Sequence, residues 1–147
     1  MNTSNSLRSR ALGYLARREH SRAELRKKLA PHAEDASDVT ALLDDLEQRG
    51  FLSDVRFAAE FVRAKSRRFG TAHIAYALRE KGVAQETITE TLSALDDSEL
   101  ERARRVWQSK FGALPASLEE KGKQTRFLGG RGFSSEIIRK VLRSEDD

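Results

Sequence analysis

The feature that most constrains the fold of this chain is an internal repeat. Residues 53–95 and 103–145 correspond at an offset of fifty positions. The matching pairs are Phe57 and Trp107, Phe61 and Phe111, Leu78 and Leu128, Gly82 and Gly132, Val83 and Phe133, Glu86 and Glu136, Ile88 and Ile138, and Leu92 and Leu142. A weaker copy precedes them at an offset of forty-nine. Such a period is typical of stacked repeat proteins, which bury apolar faces between neighbouring units and bind partners along an extended surface.

Composition limits the kind of partner and the kind of chemistry. Of the 147 residues, 38% are hydrophobic and 34% charged, which suffices for helix interfaces but not for a thick core. The net charge of +4 favours an acidic partner such as nucleic acid. Because cysteine is absent, disulfides, thiol nucleophiles and cysteine zinc sites are excluded. No secretory signal and no run of about 20 apolar residues is present, so we expect a soluble cytoplasmic protein without membrane contact.

The apolar residues recur at helical spacing in nearly every segment, and alternating β-branched runs are absent. The sequence therefore predicts an all-α fold, an elongated array of three tandem three-helix repeats. The predicted boundaries are a disordered tail over residues 1–6, repeats over 7–50, 51–96 and 97–143, and an acidic tail over 144–147. At their spacing, Phe57, Phe61, Trp107 and Phe111 are expected in the core rather than stacked on bases.

Serine residues at capping positions indicate where several of the predicted helices begin. Ser21 with Glu24, and Ser117 with Glu120, have the spacing of capping boxes, and Ser53 is a predicted N-cap.

Gly129 and Gly130 fall inside a predicted helix, where each costs about 1 kcal/mol relative to alanine. We expect either fraying there or a close packing partner. No strand or Gly-Lys-Ser/Thr signature accompanies these glycines, so they make a poor phosphate loop.

The sign of the charge depends on the position of the helix within the repeat. First and middle helices are basic, whereas the third helices of the first two repeats are acidic. If the repeats stack in register, cations recur along one flank and suit an extended polyanion. The alternative is that they are solvated faces of amphipathic helices. The candidate binding residues are Arg17, Arg18, Arg26, Lys27, Lys28, Arg63, Arg67, Arg68, Arg79, Lys81, Arg104, Arg105, Lys123, Arg126 and Arg131.

Sequence-specific DNA binding is disfavoured by the same charges. A helix–turn–helix protein reads bases with its second helix, which here would be 38–48 or 85–95. Both are acidic and would be repelled by the major groove. The last predicted helix, 135–143, is the exception, since it carries Arg139, Lys140 and Arg143.

The residues offer no catalytic, metal or cofactor site. His20, His32 and His73 lack a helical partner suited to a metal and are interpreted as helix-terminal or surface residues. The carboxylate pairs 44–45 and 96–97 are adjacent in sequence, so their side chains point apart. We therefore predict a protein that is not an enzyme.

The repeat signature resembles the RecX family, bacterial regulators of the RecA recombinase. The residues that carry the resemblance are Tyr14–Ser21, Glu24-Leu25, Lys28-Leu29, Leu46, Gly50–Asp54, Phe57-Ala58, Phe61–Arg63, Arg68, Gly70, Ile74, Leu78, Lys81-Gly82, Arg126–Leu128, Arg131–Phe133 and Ile137. The resemblance extends from about residue 8 to residue 143. Two departures are Ser53, where the family often has Asp or Asn, and the pair Gly129-Gly130, where helical residues are usual.

The resemblance implies a protein that binds RecA, above all the RecA filament on single-stranded DNA. We expect the protein itself to be a monomer. It implies binding along the filament groove and inhibition of ATP hydrolysis and strand exchange, and thereby modulation of recombination and DNA repair. The basic residues named above would face the filament and contact DNA without sequence preference. The alternative left open is a helical repeat protein that binds nucleic acid without RecA.

Overall fold

The computed structural model describes residues 3–143, and this part of the chain is helical with no strand. The helices are α1 (Thr3–Arg17), α2 (Arg22–Leu29), a 3₁₀ turn (Ala30–His32), α3 (Ala36–Gln48), α4 (Asp54–Lys65), α5 (Thr71–Glu80), α6 (Gln85–Ser93), α7 (Glu99–Lys110), α8 (Leu118–Gly130) and α9 (Ser135–Val141). Three successive sets of three α-helices confirm the predicted all-α repeat array. Within the described range, no helix is both long and apolar enough to cross a bilayer.

The first helix starts earlier than the sequence predicted. Helix α1 begins at Thr3, although a disordered tail was expected through residue 6. Leu7 is buried in the core and anchors the helix, and the polar residues before it include no glycine or proline that would stop it. Residues 1–2 and the predicted acidic tail 144–147 lie outside the described residues.

Serine caps define several helix starts. Ser21 and Glu24 form the predicted capping box at the start of α2. Ser53 accepts a hydrogen bond from the backbone of Arg56, as expected of an N-cap. A second complete capping box, not predicted, opens α7 at Ser98. These caps satisfy N–H groups that a helix leaves unpaired at its start.

Helix α8 departs from expectation at both ends. Ser117 caps it, but Glu120 accepts a hydrogen bond from the backbone N–H of Ala116 at 2.7 Å, so the capping box is incomplete. The helix continues through Gly129 and Gly130 without fraying. A Cβ placed on Gly130 would meet nothing within 4 Å, so close packing does not explain that glycine.

The chain divides into two compact units that cut across the predicted repeats. Unit 1 contains the residues up to Phe61 together with Leu78–Thr91, and unit 2 contains Val62–Ala77 together with the residues from Leu92 onward. Helices α4, α5 and α6 therefore each contribute to both units. The repeat boundaries stay predictions.

Each unit has its own apolar core at the predicted positions. In unit 1 the buried core residues of α1 to α3 are Leu7, Ala11, Leu25, Leu29, Val39, Leu42, Leu43, Leu46 and Leu52. In unit 2 the core of α7 to α9 contains Ala103, Val106, Leu128, Phe133, Ile138 and Val141. Phe57 is buried and Trp107 packs against the second core, which confirms their predicted core role. The indole N–H of Trp107 donates to Gln124 at 2.8 Å.

Candidate binding surface at the repeat junctions

In unit 1, the start of the middle helix α2 docks on the turn between α5 and α6. The hydroxyl of Ser21 donates a hydrogen bond to the backbone carbonyl of Lys81 at 2.7 Å. Gly82 has φ +79°, and a Cβ there would lie 2.6 Å from the Cβ of Ala23. Both the left-handed backbone and the close approach require glycine. We call this contact the first junction.

In unit 2, the start of the middle helix α5 docks on the turn between α8 and α9 in the same way. The backbone N–H of Gly70 donates to the carbonyl of Arg131 at 2.7 Å. Gly132 has φ +91°, and a Cβ there would lie 2.4 Å from the Cβ of His73. Lys81 and Arg131 stand fifty positions apart, so this second junction repeats the first.

Four of the predicted cations line the surface at the first junction. Lys27, Lys28 and Lys81 line a groove of about 520 Å³, together with the carboxylates of Glu24 and Glu80. Arg26 and Lys27 line a neighbouring groove of about 320 Å³. Cations of α2 and α5, which belong to consecutive repeats, are thus brought together. We call the larger depression the lysine groove.

Glu24 organises the charges at the first junction. Its carboxylate pairs with Arg18 at 3.0 Å and with Lys81 at 3.5 Å, and it accepts the backbone N–H of Ser21 at 3.1 Å. Burial raises the pKa of Glu24, but the hydrogen bonds from Arg18 and Ser21 and the charge of Lys81 outweigh it and lower the pKa to about 2. Glu24 therefore stays ionised and holds two of the predicted cations in place.

His20 directly precedes the N-cap of α2, as a helix-terminal residue would, but it is buried in unit 1, which corrects its interpretation as a surface residue. Its Nδ1–H donates to the carbonyl of Arg18 at 3.1 Å, so its Nε2 accepts from the ammonium of Lys28 at 2.9 Å. Burial lowers the pKa of His20, and the nearby charges of Arg18 and Lys28 act in the same direction. The neutral imidazole positions Lys28 while leaving that residue exposed.

At the second junction, the cations gather around an aromatic ring. Arg131 is half-buried, with its guanidinium 5.2 Å from the Phe69 ring centroid and 5.0 Å from that of Phe127. The Arg131 side chain also donates to the carbonyl of Arg68 at 3.4 Å. Arg68 and Lys65 lie 6.0 and 5.7 Å from the Phe69 ring. These are cation–π distances. Phe69 and Lys65 were missed, although an aromatic residue directly before Gly70 was a usable signal.

The remaining predicted cations are exposed, but no described contact within either unit joins them into a cluster. Arg79 donates to Gln85 at 2.8 Å, and Arg105 pairs with Asp97. The other members of this group are Arg17, Arg63, Arg67, Arg104, Lys123 and Arg126.

The acidic helix of the first repeat is partly neutralised within unit 1. Arg22 of α2 pairs with Asp44 at 2.8 Å and with Glu47, and Arg8 of α1 pairs with Asp45 at 2.8 Å. These pairs join α3 to the other two helices of its repeat. The carboxylates of α3 therefore stabilise the repeat through ion pairs, in addition to making its surface negatively charged.

Arg102 behaves unlike the other cations. Its side chain is buried and donates one hydrogen bond, from Nη2 to the hydroxyl of Thr71 at 2.9 Å. Its Nε and Nη1 atoms have no hydrogen-bond partner among the described residues. Burial lowers the pKa of Arg102. The repeat could have indicated this burial, because the residue fifty positions earlier is the core residue Leu52.

Among the described residues, no cluster of three or more histidine, aspartate or glutamate side chains could hold a metal ion. Each of the two junctions, taken by itself, presents positioned cations suited to an anionic partner, and the second junction adds aromatic rings.

Comparisons with known proteins converge on one family. The sequence models of the first, second and third three-helix domains of RecX match residues 8–46, 53–92 and 97–142. The Regulatory protein RecX of Leptothrix cholodnii is 52% identical over 141 residues, covering 96% of this chain and 90% of the relative. That of Ralstonia nicotianae is 46% identical, with 96% and 89% covered. A crystal structure of RecX from Lactobacillus salivarius superimposes with a TM-score of 0.78 at 18% identity, covering 95% of this chain and 94% of the other.

Proposed function

Because the chain belongs to the RecX family of regulatory proteins, we propose that it binds the RecA recombinase and its filament on single-stranded DNA. Binding inhibits the ATPase and strand-exchange activities of RecA and so modulates recombination and DNA repair. RecA as the partner follows from the resemblance described above. The physical support comes from the repeat junctions.

The observation that carries the proposal is the lysine groove at the first junction. Lys27 and Lys28 come from one repeat and Lys81 from the next, so a single anionic surface can contact two consecutive repeats at once. Arg68 and Arg131 are likewise held together at the second junction. A filament on single-stranded DNA presents anionic groups at regular intervals, and repeated cation clusters suit such a partner.

Inhibition follows from differential affinity. A ligand shifts a conformational equilibrium only towards the state that it binds more tightly. We propose that the protein prefers one state of the filament, or the unpolymerised RecA subunit, over the state that hydrolyses ATP. The ratio of the two affinities then sets the largest factor by which the protein can shift this equilibrium, and the free energy of coupling is reciprocal.

The test is the DNA-dependent ATPase activity of RecA, measured while this protein is titrated at fixed single-stranded DNA. The proposal predicts inhibition at amounts far below those that saturate the DNA. Inhibition that begins only when the DNA is fully coated would mean competition for DNA, and the protein would act as a nucleic-acid-binding protein without RecA. Co-sedimentation with RecA, with and without single-stranded DNA, separates these two outcomes directly.

A further inference from the structure

A further basic depression lies in the last repeat. It is a cleft of about 500 Å³ between helices α8 and α9. Its lining residues are Lys121, Thr125, Ser135, Ile138, Arg139, Leu142 and Arg143. None of them belongs to the predicted set, and the proposed function uses none of them. We call it the α8–α9 cleft.

Within the described residues 3–143, the cations of the α8–α9 cleft have no ion-pair partner. Lys121, Arg139 and Arg143 are exposed, and no carboxylate lines the cleft. Among the side chains that the structure describes, none forms an ion pair with these three residues. The lysine groove differs, because Glu24 and Glu80 contribute to its lining. Three uncompensated positive charges around one depression favour an anionic ligand.

The apolar residues of the cleft place a second requirement on its ligand. Ile138 is buried and Leu142, one helical turn further along the chain, is half-buried, and Thr125 and Ser135 also line the cleft. The cleft volume falls within the usual range for ligand pockets, which is about 300–1,000 Å³. A ligand that fills the cleft must therefore present an aliphatic group to its floor and anionic groups to its rim.

These features favour a peptide over a nucleic acid. Proteins that hold single-stranded nucleic acid stack its bases on aromatic side chains, and no aromatic residue lines this cleft. Arginine guanidinium groups bind carboxylates through paired hydrogen bonds. Arg139 on α9 and Arg143, two residues beyond the end of that helix, both line the cleft and can meet carboxylates of a ligand whose aliphatic side chain is buried there. We propose that the α8–α9 cleft binds an acidic peptide segment of a partner protein that inserts a leucine-like side chain.

The test uses a defined probe, a twelve-residue peptide of glutamates with two leucines four positions apart. The matched probe has alanine in place of both leucines, and a third is a thymidine oligonucleotide of equal charge. Binding is followed by backbone NMR shifts of the full-length protein. We expect shifts confined to the cleft residues and at least tenfold weaker binding of the alanine probe. The double variant Arg139→Ala/Arg143→Ala should also bind at least tenfold more weakly.

The control variant is Lys140→Ala. Lys140 is on α9 and pairs with Glu136 at 3.5 Å, and it does not line the cleft. Its removal should change peptide affinity less than twofold, and circular dichroism should show that all variants remain folded. The proposal is overturned if the oligonucleotide binds the cleft more tightly than the leucine peptide, which would indicate a nucleic-acid site. It is also overturned if the two peptides bind equally, or if neither shifts the cleft resonances.

Discussion

Ser21 and Lys81 are joined by a hydrogen bond of 2.7 Å, from the serine hydroxyl to the lysine carbonyl, across sixty residues of chain. The corresponding carbonyl of Arg131 accepts the backbone N–H of Gly70, also at 2.7 Å. In both cases the acceptor precedes a glycine with positive φ. Equivalent positions of the sequence repeat thus form equivalent hydrogen bonds between one repeat and the next. The repeat specifies these contacts as well as the three similar sets of helices.

The first prediction concerns this bond. Replacing Ser21 with alanine removes an N-cap, worth about 1 kcal/mol, and leaves a carbonyl without its donor, worth about another 1–3 kcal/mol. Ser98→Ala is the matched control, since Ser98 also forms a complete capping box but is exposed and makes no long-range bond in the described structure. Urea unfolding should show a loss of stability roughly 1–3 kcal/mol larger for Ser21→Ala. Equal losses would mean that the junction bond adds nothing.

The second prediction concerns the backbone contact at the second junction. A Cβ on Gly70 would lie 2.4 Å from the carbonyl oxygen of Gly132, which is backbone and cannot move aside cheaply. Gly70→Ala should therefore destabilise the fold by about 2–3 kcal/mol. Gly130→Ala, at the end of α8 with open space around its Cβ, should stabilise it by up to about 1 kcal/mol. Thermal and urea unfolding of the two variants would contradict this if both changes had the same sign.

The third prediction is a pH dependence that depends on Glu24. Its pKa is about 2 in the folded protein against an ordinary value of 4.5, so the unfolded state takes up the proton first as the pH falls. The stabilisation is complete above pH 4.5 and is lost as the pH falls from there to about 2. It amounts to about 3 kcal/mol.

Unfolding free energies measured between pH 7 and pH 2.5 test this prediction. Glu24→Gln should remove most of the decrease in unfolding free energy that the unmodified protein shows over this pH range. Glu101→Gln changes the corresponding capping-box carboxylate of α7, which forms no ion pair in the described structure, and should leave this decrease in place. An unchanged pH profile in Glu24→Gln would show that other carboxylates cause the loss.

The fourth prediction concerns the buried guanidinium of Arg102. Two of its nitrogen atoms lack hydrogen-bond partners, so its desolvation is poorly compensated. Arg102→Met keeps most of the volume and should leave stability unchanged or raise it by about 1–2 kcal/mol. Arg102→Ala removes the packing as well and should destabilise the fold. If Arg102→Met proves as destabilising as the alanine variant in thermal unfolding, the guanidinium has a stabilising partner that the structure does not show.

The fifth prediction tests the candidate binding residues, of which Arg26 and Lys27 lie at the first junction and Arg67 lies at neither junction. Arg26, Lys27 and Arg67 are exposed and form no ion pair in the described structure. Replacing all three with alanine should weaken binding to the RecA filament and reduce the slope of log K against log salt by about 2. The control Arg10→Ala/Arg49→Ala/Lys140→Ala removes the same charge outside the predicted set. Equal effects of the two triple variants on the salt slope would show that net charge alone governs binding.

The helices and their buried faces could be predicted from the sequence, because they depend on the local spacing of apolar residues. Leu25 and Leu29 are buried as their helical periodicity predicted, and the Ser21 capping box is a short-range pattern. The hydrogen bonds at the junctions could not be predicted, because nothing near Ser21 in the sequence indicates that its hydroxyl donates to a carbonyl sixty residues away. The cations around Phe69 also depend on tertiary contacts that periodicity does not report. The burial of Arg102, in contrast, could have been inferred from its correspondence with the core residue Leu52.

The first repeat lacks the positive-φ glycine that the second and third repeats have in their junction turns. The first and last repeats therefore differ in the contacts that they can form. Ala33 stands forty-nine positions before Gly82, yet its φ is −104° and it follows the 3₁₀ turn that contains Pro31. That turn does not reproduce the backbone of the acceptor turns at Lys81 and Arg131. A second copy of the chain therefore cannot dock end to end on the first repeat by the stereochemistry that joins its internal repeats, which disfavours open-ended self-polymerisation through this contact.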